Sequence, residues 1–233
     1  MLDIHSHILP KMDDGSKSVE MTFEMLRSSI EQGVTTMVST SHFYADREDP
    51  ESFLRRRNHA AKKIASQAEE LGIKLYYGAE VLYFPGIAQS ESVRELAISG
   101  TSLILIEMPF VSWSERIFDE LMSFQYNSRL QIVLAHIERY RGLQTRDIFE
   151  KMLELPFYFQ MNAEAFDSFM TRRLAMKQIE RGQLHFLGTD CHNITSRPPN
   201  MNIAKQAVEK RLSPAAWETI TLEMEDRFRH HTL

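Results

Sequence analysis

One cysteine, Cys191, stands among 233 residues, which excludes an internal disulfide and fits a reducing compartment. No apolar run approaches the roughly 20 residues of a membrane-spanning helix. The N-terminus lacks the basic segment followed by an apolar one that marks a secretory leader. Positive charge is not in excess either: the formal net charge is -5, which gives no general attraction to nucleic acid or to anionic membrane. Low-complexity tracts, linkers and internal repeats are missing as well. These absences lead to the expectation of a soluble, cytoplasmic protein without membrane insertion. Hydrophobic residues at 43% and charged ones at 25% are ordinary for a globular chain, and the length suits one domain over 1–233.

What is present alternates. Short β-rich runs at 2–5, 36–40, 74–80, 102–108, 131–138, 157–164 and 185–190 are separated by amphipathic stretches. In the first of these stretches, Val19, Phe23, Leu26 and Ile30 fall at helical spacing before Gly33, a residue suited to end a helix. A second helix begins near Pro50 and runs to Gly72. Others are expected at 115–127, 145–154 and 171–181, and Ser213-Pro214 opens a C-terminal one. Strand alternating with helix implies parallel strands joined by right-handed crossovers. The fold is therefore α/β, either a doubly wound sheet or a barrel. A distorted seven-stranded (β/α)7 barrel of TIM-like type is favoured because of where the polar residues fall.

The opening stretch, LDIHSHILPKMDDG, places His5 and His7 on one face of a strand, since residues i and i+2 project the same way. Two neutral imidazoles so placed suit a metal, although a strand end facing solvent or a backbone carbonyl would also accommodate them. The other strands repeat the theme. His42 follows the second, Glu80 ends the third, Glu107 the fourth and His136 the fifth, while Asp190 and His192 end the seventh. The sixth, ending near Asn162, offers no strong ligand. In a parallel barrel all these ends share one rim, where active sites are built. Each residue alone has a duller reading as a solvated loop carboxylate or a hydrogen-bonded structural histidine. Their coincidence shifts the balance, because clustered carboxylates and imidazoles are costly to fold without cations. Nitrogen and oxygen ligands suit zinc, manganese or iron, and so large a set suggests more than one ion.

The combination of DIHSH, His42 after TMVSTS, Glu80 in YGAE, His136 in AHIERY and Asp190 with His192 in TDCH resembles the polymerase-and-histidinol-phosphatase (PHP) superfamily. The DDG segment and NITSRPP bring it nearest to the bacterial capsule and exopolysaccharide protein-tyrosine phosphatases. The likeness extends over essentially the whole chain. It implies a distorted seven-stranded barrel with three metal ions, typically Mn2+. One ion would sit on His5, His7, Glu80 and Asp190, a second on Glu80, Glu107 and His136, and a third on Asp14, His42 and His192. Asp13 competes with Asp14, and the family register favours Asp14. The loop FYADREDP after His42 does not align with the family. The partner implied is a phosphotyrosine-bearing protein, such as the tyrosine-rich tail of a bacterial kinase controlling capsule assembly. A homo-oligomer is compatible with the sequence.

Phosphate-ester hydrolysis needs a nucleophile and neutralisation of developing charge, and metal-bound water supplies the first near neutral pH. Arg139 and Arg197 lie close to ligands in sequence, and a guanidinium fork matches two phosphate oxygens. The duller alternative for each is an ion pair, for example with Glu138 or Asp226. Residues 191 to 197 also satisfy the C-x5-R spacing of thiol phosphatases. That loop has no glycine, is followed by two prolines without N–H groups, and leaves Asp190 and His192 unexplained. Other functions to weigh are a small-metabolite phosphatase, for example for histidinol phosphate, a nuclease-like relative, and a module that binds phosphorylated tails without turnover. The basic run around His59 (Arg55, Arg56, Arg57, Lys62, Lys63) reads as a solvated helix face. His230 and His231 read as a frayed tail. Trp113 and Phe110 are placed to line a substrate mouth or to pack within their loop.

Overall fold

A computed structural model describes every residue from Met1 to Leu233. The strands are β1 Leu2–Ser6, β2 Thr36–Ser39, β3 His42–Phe43, β4 Lys74–Tyr77, β5 Glu80–Leu82, β6 Leu103–Glu107, β7 Gln131–Leu134, β8 Tyr158–Asn162 and β9 Phe186–Gly188. The helices are α1 Val19–Glu31, α2 Pro50–Lys62, α3 Ala65–Glu70, α4 Arg116–Ser128, α5 Arg146–Leu153, α6 Phe169–Glu180, α7 Met201–Arg211 and α8 Pro214–His230. All strand pairs are parallel, in the orders β1-β2-β4 and β3-β5-β6-β7-β8-β9.

Those two sheets form one curled wall. The Gly78 N–H donates to Ser39 O at 2.8 Å and the Glu80 N–H to Ser41 O at 3.0 Å, so β2–β3 and β4–β5 each act as a single kinked stave. The ring closes where β9 meets β1: the Asp190 N–H donates to His5 O at 2.7 Å and the His7 N–H to Cys191 O at 2.9 Å. A Cβ on Gly188 would lie 2.5 Å from the Cβ of His5, so only glycine lets the last stave come this near the first. With the two kinked staves counted once each, the seven-stranded barrel is as expected.

Local chemistry explains most boundaries. Ser18, Asp49, Thr145, Ser168 and Ser213 each cap a helix by accepting from a backbone N–H in its first turn. Pro50 and Pro214 occupy first-turn positions. Gly33 ends α1 at φ 86°. The staves are filled by fully buried aliphatic runs such as Leu103–Ile106 and Ile132–Leu134, as parallel strands covered on both faces require.

Several expectations are corrected. The helix drawn from Pro50 to Gly72 is two, α2 and α3, with Lys63 and Ile64 between them. The strand drawn over 131–138 stops at Leu134, and Ile137–Tyr140 form a 3-10 turn after His136 enters the left-handed region. Helix α7 was not expected. Its buried residues are Met201, Ala204 and Val208, and its cap Asn200 makes no side-chain bond, so its apolar stripe is thin and its start unmarked. Arg57 is not solvated but 7% exposed, lying against Asn58 and Tyr77 O. His231 is not frayed. It bonds Ser102 Oγ at 2.7 Å and the Tyr158 hydroxyl at 3.2 Å, and its carbonyl accepts from the Ser102 N–H.

Candidate metal centre

At the C-terminal rim, side chains from six of the staves meet. Glu80 is their hub. One carboxylate oxygen lies 2.8 Å from His136 Nε2, and the other lies 2.8 Å from His42 Nδ1, 3.3 Å from His7 Nε2 and 3.4 Å from His5 Nε2. Glu107 Oε1 lies 3.4 Å from His136 Nε2. Asp190 Oδ1 faces His7 at 3.3 Å and His5 at 3.6 Å. Asp14 Oδ1 spans His42 at 3.4 Å and His192 at 3.3 Å. All nine expected ligands are therefore in one cluster.

Three sets of these residues have ligand atoms mutually within 4.8 Å: His5, His7 and Asp190; His42, Glu80 and Glu107; and His7, Asp14, His42 and His192. The grouping differs from the expected one in detail, since His42 also stands beside Glu80 and Glu107, and His7 beside His192. The two rings of the latter pair stack with centroids 3.9 Å apart. The donor set fits divalent ions on an independent ground. Glu80 Oε2, Asp190 Oδ1, His42 Nδ1, His136 Nδ1 and His192 Nε2 are buried yet have no hydrogen-bond partner. His42 Nδ1 and Glu80 Oε2 stand 2.8 Å apart without hydrogen-bond geometry. Buried polar atoms are almost always paired, so lone pairs gathered in this way suit a shared cation.

Supporting residues fix the ligands. Asp13 accepts from the Gly15 N–H at 2.9 Å and the His42 N–H at 2.9 Å, and its other contact is His7 Nδ1 at 2.8 Å. It thereby leaves His7 Nε2 facing the cluster, while Asp14 is the carboxylate that reaches the imidazole pair. A Cβ on Gly15 would sit 2.5 Å from the Cβ of His7, so the DDG turn needs its glycine. Gln160, fully buried on β8, contacts His5 Nδ1 at 3.2 Å and accepts from the His136 N–H at 2.7 Å. It donates to Asn162, which in turn donates to Asp190 Oδ2 at 3.0 Å. The stave without a ligand is thus the one that orients them, through Gln160 and Asn162, which no sequence signal singles out. His136 and Asp190 hold φ of 30° and 51°, backbone strain of the kind stored at functional sites.

The electrostatics are those of a crowded knot. Burial alone would raise the Glu80 and Asp190 carboxyls, but His5 and its neighbouring imidazoles outweigh it and hold both well below the usual range. Burial opposes the His7 and His136 cations, yet Asp13 raises His7 strongly, and Glu107 with Glu80 lift His136 to about 9. His192 is lowered to about 4 by burial and by His7.

Arg197 donates to Asp190 Oδ2 at 2.7 Å and Arg139 forms an ion pair with the same oxygen at 2.7 Å; neither pairs with Glu138 or Asp226. Cys191 is fully buried, and burial pushes its thiol up to about 12, which removes the thiolate that C-x5-R chemistry needs. Trp113 packs on Phe118 and Tyr140 and donates its indole N–H to Pro109 O. Phe110 is 48% exposed and stacks on His136. Of the two aromatics, Phe110 is the one at the mouth. In the loop that did not align, Tyr44 stacks on His42, with the Arg47 guanidinium 4.3 Å from its ring centroid.

Fold and cluster together define a parallel α/β barrel with a candidate metal centre at its C-terminal rim. The family model for capsular polysaccharide synthesis, CpsB/CapC, matches residues 1–228, and the chain belongs to that family. Tyrosine-protein phosphatase CpsB of Streptococcus pneumoniae is 30% identical over 223 residues, covering 91% of this chain and 90% of the relative. Tyrosine-protein phosphatase YwqE of Bacillus subtilis is 26% identical, covering 100% and 93%. The solved structure described as YwqE from Bacillus subtilis and CpsB from Streptococcus pneumoniae, unique metal-dependent tyrosine phosphatases, matches with a TM-score of 0.80 at 25% identity over 100% of this chain and 96% of that one. A putative histidinol phosphatase from Listeria monocytogenes shares the fold, with a TM-score of 0.51 at 13% identity over 91% and 100%. The PHP resemblance read from the motifs is borne out.

Proposed function

We propose that this chain is a metal-dependent phosphatase that removes phosphate from phosphotyrosine in proteins. The observation that carries the reading is the convergence of nine imidazole and carboxylate side chains, several with unpaired buried lone pairs, beside two arginines. The names of the relatives supply the substrate class. The ions would be held by His5, His7, Glu80 and Asp190; by Glu80, Glu107 and His136; and by Asp14, His42 and His192, with His42 within reach of the second set. Manganese is the metal proposed, with zinc or iron as the competitors that the same ligands accept. Bound there, such ions supply an activated water and Lewis-acid neutralisation of phosphoryl charge.

The protein's own contribution is positioning. Asp190 divides its two oxygens, turning Oδ1 to the imidazoles and Oδ2 to Arg139, Arg197 and Asn162. Each guanidinium has five N–H donors, so donors remain to take two phosphate oxygens while Asp190 fixes the side chain. Arg139 and Arg197 are thus tied to the same carboxylate that closes the ligand set, and a phosphate they bind is presented to the cluster. Phe110 offers an apolar edge at the mouth for an aromatic ring.

The partner proposed is the tyrosine-rich tail of a bacterial kinase governing capsule assembly, met in the cytoplasm. No helix is long and apolar enough to cross a membrane. The test is phosphate release from a phosphotyrosine peptide, histidinol phosphate and a short oligonucleotide, each with Mn2+ supplied or chelated. Turnover of the peptide that requires the metal is the expected result. Faster turnover of histidinol phosphate or the oligonucleotide, or peptide turnover indifferent to chelation, would overturn it.

A further inference from the structure

A groove of about 930 Å³ lies between α6 and α7, outside the metal centre. Arg172, Arg173 and Lys177 line it from α6 and Lys210 and Arg211 from α7, with Glu180 as the one carboxylate. Lys177 reaches Glu150 at 3.6 Å; none of the other four cations forms an ion pair. On a chain of net charge -5 this is a local reversal of sign, and unpaired like charges held together favour an anionic ligand. At the upper end Phe169 and Met170 are 74% and 81% exposed.

The groove's position ties it to catalysis. Helix α6 follows β8 and the Ala163–Phe166 turn, and it packs on Ile137–Tyr140, the turn carrying Arg139. Helix α7 begins four residues after Arg197 and packs on the same Ala163–Phe166 turn. Both helices start at the rim beside the two arginines and descend the outside of the barrel. A polypeptide whose phosphotyrosine sits at the cluster can therefore continue into the groove. The 12-residue α6 is roughly 18 Å long at 1.5 Å per residue, a span that about five extended residues cover.

We propose that the α6–α7 groove binds an acidic segment flanking the phosphotyrosine of the substrate polypeptide, so that the enzyme selects phosphotyrosine in an acidic context. The proposal rests on the protein-phosphatase reading above. Glutamate or aspartate side chains would pair with Arg172, Arg173, Lys210 and Arg211, and Phe169 and Met170 would cover an apolar residue between them and the phosphotyrosine. Complementary rim charges act chiefly on encounter and on salt dependence, so the effect belongs in KM.

The metal-loaded full chain is assayed on free phosphotyrosine and on two phosphotyrosine peptides, one flanked by four glutamates and one by four glutamines. The expected result is a preference for the glutamate peptide of about tenfold in kcat/KM, mostly in KM and reduced by added salt. Two double variants, Arg172→Glu with Arg173→Glu and Lys210→Glu with Arg211→Glu, are each expected to abolish that preference while leaving free phosphotyrosine turnover within about twofold. Equal rates of the wild type on both peptides overturn the groove proposal without requiring any variant to fold. A preference that survives both charge reversals overturns it too. If no phosphotyrosine substrate is turned over, the functional reading fails. Fluorescence anisotropy of the labelled glutamate peptide then tests the groove directly, and binding unaffected by the reversals overturns it. Charge-dependent binding to phosphatidylglycerol vesicles without any peptide preference assigns the groove to a membrane and also overturns the proposal.

Discussion

The two ends of the barrel both collect histidines, in opposite surroundings. At the C-terminal rim, His5, His7, His42, His136 and His192 crowd around Glu80, Glu107, Asp190 and Asp14, with buried lone pairs left unpaired. At the N-terminal end, His185 accepts the Phe159 N–H at 3.0 Å through Nδ1, and His231 bridges Ser102 and the Tyr158 hydroxyl. Arg227 stands over the Tyr158 ring and donates to His185 O. Carboxylates lift His7 and His136 above their ordinary range, whereas burial and then Arg227 push His185 down to about 4. Imidazole by itself therefore says little about chemistry. Its neighbours decide whether it becomes a ligand or a neutral structural link.

The contrast breaks most sharply at its hub. Replacing Glu80 with Ala removes a carboxylate that four imidazoles face. Metal content measured on the purified variant should fall, and kcat/KM for a phosphotyrosine peptide should drop on the order of 10³-fold, the scale of losing a main electrostatic stabiliser. Unchanged metal content would contradict the role given to Glu80. Asp13→Asn tests the supporting layer. It keeps the shape but loses the charge that orients His7, and metal affinity by competition titration should weaken about 10- to 100-fold, as for other outer-shell partners.

At the opposite end the effect is on stability. His185 has a folded pKa of about 4 against an ordinary value of 6.5, so between those values the unfolded chain binds the extra proton. The contribution is complete above pH 6.5 and is lost as pH falls towards 4. In denaturant titrations His185→Gln should flatten that part of the pH profile by about 1–2 kcal/mol, a figure reduced from the full shift because the ring is partly exposed. A profile identical to wild type would show that this histidine has the same pKa in both states. The smallest effect on turnover is expected of Cys191→Ser: activity within about twofold of wild type, with a stability loss of about 1–3 kcal/mol for a hydroxyl in an apolar site. Loss of turnover in a folded, metal-loaded Cys191→Ser protein would restore the thiol reading.

The sequence displayed the ligands better than their supports. His5, Glu80, Glu107, His136 and Asp190 were visible because each stands at or near the end of a β-rich run in the sequence, and parallel strands bring such ends to one rim. Gln160 and Asn162 were not, since an uncharged amide on a strand looks the same whether it faces a core or a ligand. Asp13 and Asp14 could not be separated by composition; the direction of each carboxylate is set by the Gly15 turn. In the fold, strongly patterned helices such as α1 were legible. Helix α7 and the kink dividing β4 from β5 depend on thin packing and on a cross-stave bond from Gly78, which no local pattern records. His231 was misread because its partners, Ser102 and Tyr158, are distant in the chain.

The seam between β9 and β1 carries a consequence for synthesis. Asp190 and His192 are made 185 residues after His5 and His7, and the ring cannot shut until Gly188 slides beside His5. A growing polypeptide therefore holds seven of its nine ligands without a finished cage. Competence to seize metal should arrive late and abruptly, with the last stave, so truncated products lacking that stave would be inert.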